Sequence, residues 1–152
     1  MTPAHPSRNR LALQATTHCL TGCAIGEVSG MVIGTALAWG DFATIALSVL
    51  LAFFFGYALT MRPLLASGIG LRRASRLALA ADTVSIAVME ITDNAILLLI
   101  PAAMDAQLDE PLFWGSLTVA LAIAGVVAFP VNRWMIGRGQ GHAVVHGAHG
   151  GH

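Results

Sequence analysis

Four apolar runs, at residues 11–39, 42–61, 74–101 and 112–131, take up most of this 152-residue chain. Each reaches the roughly 20 residues a helix needs to cross a hydrocarbon core. Only 11% of the residues are charged and 56% are hydrophobic, where a water-soluble domain carries about a quarter charged residues. The chain therefore reads as an all-α integral membrane four-helix bundle. It divides into an N-terminal tail (1–10), a four-helix transmembrane domain (11–136) and a His-rich C-terminal tail (137–152). Little remains for a soluble domain, so chemistry must sit in the bundle or its tails.

The charges are segregated by loop. There is no lysine, and the arginines cluster as Arg8 and Arg10, as Arg62, Arg72, Arg73 and Arg76, and as Arg133 and Arg138. The two remaining connections carry Asp41, and then Asp105, Asp109 and Glu110. By the positive-inside rule both termini and the middle loop are cytoplasmic, and an even number of spans agrees. Trp39 and Trp114 are expected as anchors at the outer interface, and Trp134 at the inner one. The first run resembles a signal peptide at its basic start, but it is too long and contains Glu27, so it is read as a retained helix. A multi-pass protein of the bacterial inner membrane follows. Balanced, segregated charge gives no reason to expect a nucleic-acid partner.

Ionisable groups within such runs are costly and mark ion, proton or substrate paths. Glu27 and Glu90 lie near the middle of the first and third runs, accompanied by Cys19, Cys23, Asp82, Asp93 and Asn94. Cys19, Cys23 and Glu27 recur every four residues and so share one side of a helix, with His18 beside them. Asp82, Met89, Glu90, Asp93 and Asn94 occupy about one third of the third helix's circumference. Helices 1 and 3 run in the same direction. Counting the rise per residue places Cys19 near the depth of Asp82 and Glu27 near that of Glu90, so the stripes can face each other.

Two chemistries suit this set. Thiol, thioether, imidazole and carboxylate groups bind soft or borderline ions such as Cu(I) or Zn. The candidate metal ligands are His18, Cys19, Cys23, Glu27, Met89, Glu90 and Asp93. Alternatively, Asp82, Glu27, Glu90, Asp93 and Asn94 form a proton or polar relay, because adjacent carboxylates in a dry site must hold protons or share a cation. A purely structural reading makes them an interhelical hydrogen-bonding network with Ser85 and Thr92. A further four histidines in the tail, His142, His146, His149 and His152, suit weak metal capture.

Gly22, Gly26, Gly30 and Gly34 form a glycine zipper, a packing seam on helix 1 that admits another backbone closely. Helix 3 or a second copy of the chain is its expected partner, which favours a homo-oligomer. Helix 2 reads as a lipid-facing wall. Helix 4 is bland, with Pro130 placed to end or kink it, and Asn132-Arg133-Trp134 reads as an interface anchor only. Ser67-Gly68-Ile69-Gly70 suits a tight turn.

The run His18-Cys19-Leu20-Thr21-Gly22-Cys23-Ala24-Ile25-Gly26-Glu27 and the stretches Ala81-Asp82-Thr83 and Met89-Glu90-Ile91-Thr92-Asp93-Asn94 carry a resemblance. With Pro101-Ala102-Ala103-Met104-Asp105 and Phe129-Pro130-Val131-Asn132-Arg133-Trp134, the chain resembles a bacterial membrane family known only as a domain of unknown function, DUF4396. The resemblance implies a small polytopic membrane protein whose members often end in histidines; it implies no reaction. The residues themselves support metal-ion binding or translocation, Cu(I) ahead of Zn, with a membrane-complex or metallochaperone partner. The alternatives are an assembly subunit of a membrane complex and a proton-coupled carrier using Glu27 and Glu90. No activated nucleophile or cofactor motif suggests an enzyme.

Overall fold

The computed structural model describes residues 7–138. All four expected helices are present: α1 (Arg8–Ala36), α2 (Asp41–Ala66), α3 (Leu71–Leu99) and α4 (Pro111–Gly137), with no strand among the described residues. They form an up-down-up-down bundle in which each helix packs on the next in sequence and α4 closes back onto α1. In that ring α1 and α3 are diagonal and parallel, and they also touch. Whatever they present to each other therefore lies on the bundle axis.

α1, α2 and α4 are long and apolar enough to span a membrane. α3 is as long as α1, at 29 residues. Yet every 18-residue stretch of it holds at least three of Arg72, Arg73, Arg76, Asp82, Glu90 and Asp93. The three arginines are exposed near the start of the helix, whereas the three acids along its length are buried and face the bundle, not its surroundings.

Short turns set the antiparallel neighbours. After α2, Gly68 adopts φ 86°, and the N–H groups of Gly68 and Ile69 donate to the carbonyls of Leu65 (3.0 Å) and Leu64 (3.2 Å). This is a Schellman cap, in which a left-handed residue satisfies the last carbonyls, and the Ser67–Gly70 turn is as expected. α1 ends the same way, but with Ala38 in the left-handed position at φ 53°.

Pro130 does not end α4, which continues to Gly137. Pro63 is likewise accommodated within α2. A proline inside a helix removes one backbone donor and frees one carbonyl, and in a bundle neighbouring helices can absorb the change.

The glycine seam has a different partner from the one expected. Its surface is taken up inside the chain by α2, where Thr44, Ser48, Ala52 and Gly56 form a matching run at the same four-residue spacing. A Cβ placed on Gly22 would lie 2.7 Å from the Gly56 Cα, and one on Gly26 would collide with the Ala52 backbone. Gly30 meets Ser48 and Gly34 meets Thr44. α2 is therefore no mere lipid-facing wall: it packs its small-residue face on α1 and leaves Leu50 and Phe54 exposed. α4 contributes a third small-residue stripe, Ala120, Ala124 and Ala128, all fully buried. Thin α2 and α4 faces leave room for the diagonal pair to approach.

Candidate functional site: a buried carboxyl cluster on the bundle axis

The parallel diagonal helices are in register. Cys19 and Asp82 each lie 11 residues into their helix, and Glu27 and Glu90 each lie 19 residues in. Equal rise per residue then puts the members of each pair at the same height. The polar stripes of α1 and α3 do meet.

Two layers result. In the one nearer the chain termini, the Cys19 thiol lies 3.9 Å from Asp82 Oδ1, with the hydroxyls of Thr60 and Ser85 beside the pair. His18 turns toward α2, its Nε2 2.7 Å from Thr60 Oγ1. Thr60 thus stands between His18, which is half-buried, and Asp82, which is fully buried.

In the second layer, Glu27 of α1 lies against Glu90 and Asp93 of α3, and Cys23 lies against Glu90. Asn94 donates from Nδ2 to Glu27 Oε1 at 3.5 Å and to the Glu90 backbone carbonyl at 2.9 Å. Glu27, Glu90 and Asp93 are at most 4% exposed. Among the described residues, the donors beside the Glu90 side-chain oxygens are the Cys23 thiol, the Asn94 amide and the Glu27 carboxyl, and beside those of Asp93 only the Glu27 carboxyl. The arginines all lie at the helix ends or in the loops and tails, and the chain has no lysine. Buried carboxylates with neither a cation nor a full set of donors are prohibitively costly. The cluster is chemically complete only when it holds protons or a cation.

The soft ligands are arranged differently. Cys19, Cys23 and Met89 belong to one buried cluster with Ala52, Ile86, Ala124 and Ala128, and both cysteines are free thiols. Among the described residues no three His, Cys, Asp or Glu side chains converge in a way that would hold a metal ion. His18 bonds across to Thr60. The tail residues His142, His146, His149 and His152 lie outside the described residues.

Two buried polar features escaped the sequence reading. One is Thr60, whose signal was its place in the four-residue run of small α2 residues. The other is Asn132, whose Nδ2 donates to Thr16 Oγ1 at 3.0 Å and joins α4 to α1. Its partner is 116 residues away, so no local pattern could reveal it.

Fold and site together define a compact helical membrane bundle with an axial carboxyl cluster. By sequence, the chain belongs to the family described as a domain of unknown function (DUF4396), whose profile matches residues 8–141. No curated protein and no solved structure matches it.

Proposed function

We propose that this chain is a proton-binding membrane carrier, with Glu27, Glu90 and Asp93 as the exchanging groups. The observation that carries the reading is three buried carboxyls on the axis of a helical bundle, without a basic partner among the described residues. In this reading all four helices span the bacterial inner membrane, with both termini cytoplasmic. α3 crosses because its acids are sheltered by its neighbours. His18, Thr60, Asp82 and Cys19 form the cytoplasmic approach, and Cys23 and Glu90 continue it to the cluster. Protons pass stepwise between side chains in hydrogen-bonding reach, and Asn94 holds Glu27 in place.

Infrared difference spectra of the purified protein, recorded as pH is stepped, test proton binding through the carboxyl C=O band. The band responds in the parent chain and weakens in Glu27→Gln and Glu90→Gln. Proteoliposomes containing a pH-sensitive dye, under an imposed potassium potential, test passage. Flux falls at least tenfold in either Gln variant and persists in Cys19→Ser/Cys23→Ser, whose hydroxyls keep a donor and an acceptor at both positions of the path. A pH-silent carboxyl band in the parent chain would end this reading.

A second reading rests on the buried grouping of Cys19, Cys23 and Met89, a soft donor set suited to Cu(I). Anaerobic loading followed by elemental mass spectrometry separates the two. Near-stoichiometric copper that is lost in the double Ser variant selects the metal reading. Copper lost only on truncation after Gly141 assigns it to the tail histidines.

A further inference from the structure

Where α1 begins and α4 ends, Arg8, Asn9, Phe129, Pro130, Arg133, Trp134, Gly137 and Arg138 line a cleft of about 570 Å³. Three guanidinium groups converge there from two helices. Arg133 Nε donates to Asn9 Oδ1 at 2.6 Å, which fixes that side chain at the rim. Arg138 lies over the Trp134 ring, 4.6 Å from its centroid. The missing side chain of Gly137 lets Arg8 lie close, since a Cβ there would be 3.3 Å from an Arg8 terminal nitrogen.

Among the described residues, no acidic side chain offers the cleft a counter-charge. Asp41, Asp105, Asp109 and Glu110 are in or beside the loops at the opposite end, and Glu27, Asp82, Glu90 and Asp93 are buried on the axis. Three clustered positive charges invite an anion from outside the chain. The height of the cleft narrows the choice. α1, at 29 residues, is roughly 43 Å long, against a hydrocarbon core of about 30 Å. Its ends therefore emerge in the headgroup layer. Trp134, 55% exposed, is the side chain expected at that level, and Phe129 and Pro130 add an apolar wall.

We propose that this cleft binds the phosphodiester headgroup of an anionic phospholipid, with Arg8, Arg133 and Arg138 on the phosphate and Phe129 and Pro130 against the lipid's apolar part. Basic pockets between helix ends at a membrane surface bind such headgroups, and guanidinium matches phosphate geometry. This site is independent of the axial cluster.

Native mass spectrometry of the full chain from mixed micelles tests it, with phosphatidylglycerol and phosphatidylcholine as probes. The triple variant Arg8→Gln/Arg133→Gln/Arg138→Gln is compared with Arg72→Gln/Arg73→Gln/Arg76→Gln. The second triple removes equal charge from the other large arginine cluster. Each is first checked for parent-like helical circular dichroism, and the exposed single variant Arg133→Gln serves if a triple fails to fold. Phosphatidylglycerol retention at least tenfold lower in the first triple, or threefold lower in Arg133→Gln, supports the site, provided the second triple stays within twofold of the parent chain. Equal losses in the two triples would reduce it to general electrostatic attraction and overturn it. Equal retention of phosphatidylcholine, or displacement of phosphatidylglycerol by inorganic phosphate alone, would also overturn it.

Discussion

Replacing Gly26 by alanine should destabilise the bundle by about 2 kcal/mol, although alanine is the better helix former by about 1 kcal/mol. The added Cβ would collide with the backbone N and Cα of Ala52 and lie 2.7 Å from the Leu51 carbonyl carbon. Backbone cannot rotate aside, so α2 must shift as a unit. A gap of about 0.5–1 Å forfeits a quarter to a half of each dispersion contact, here along the whole seam from Gly22 to Gly34. Overpacking of this kind typically costs about 1–3 kcal/mol. Gly22→Ala meets Gly56 Cα at 2.7 Å and should cost slightly less. Gly34→Ala meets the Thr44 side chain, its Cβ included at 2.9 Å, which rotation cannot clear, and should cost about 1 kcal/mol because no backbone atom is struck. Gly115→Ala in α4 meets nothing within 4 Å and should gain between zero and about 1 kcal/mol. Titration with sodium dodecyl sulfate in mild-detergent micelles, followed by fluorescence of the three tryptophans, measures the series. A loss of about 2 kcal/mol is roughly 30-fold in the folded-to-unfolded ratio. Gly26→Ala at parent stability, or Gly34→Ala costing more than Gly26→Ala, would refute the packing argument.

Other consequences are simpler to measure. Ala38 holds a left-handed conformation at φ 53°, which costs a residue with a Cβ about 1 kcal/mol; Ala38→Gly should raise the thermal midpoint, and a lowered one would show that the cap does not carry this strain. Asn132→Leu should weaken the α1–α4 contact, and a double-mutant cycle with Thr16→Val should give a coupling of about 0.6 kcal/mol, at most about 1.7. Zero coupling would mean that the 3.0 Å bond between them contributes nothing.

Much of the architecture was legible because the bilayer limits the options: a run of about 20 apolar residues must be a helix. Short loops and a regular rise per residue then placed Cys19 opposite Asp82 and Glu27 opposite Glu90. Partner choice was harder to read. The glycine seam shows that something packs closely, but Thr44, Ser48, Ala52 and Gly56 are individually unremarkable, and only their common spacing marks them as the receiving face. The seam is filled within one chain, so it no longer argues for a second copy. Asn132 reads as part of an anchor because Arg133 and Trp134 follow it in sequence; those two are exposed, whereas its own side chain points inward to Thr16. Local sequence gives the side of a helix, not what lies across from it.

The same packing bears on what the acids are for. Close contact between α1 and α2 is already supplied by glycine, serine, threonine and alanine, and the α1–α4 contact by Asn132 and Thr16. Carboxyls on α3 are a poor way to add cohesion, because among the described residues, beyond the Asn94 amide and the Cys23 thiol at Glu90, the side-chain oxygens of Glu90 and Asp93 meet only other carboxyls. Replacing a whole buried ion pair by apolar residues of similar volume is often neutral or stabilising by about 1–4 kcal/mol, and Glu90 has no cationic partner among the described residues for its removal to strand. Glu90→Met should therefore hold or raise the detergent unfolding midpoint while it abolishes pH-driven proton uptake. If the cluster were structural glue, the same substitution would cost about 1–3 kcal/mol or more through the groups left unpaired. Loss of stability without loss of proton uptake would assign these acids to assembly, whereas stability gained with activity lost is the signature of groups kept for function against their folding cost.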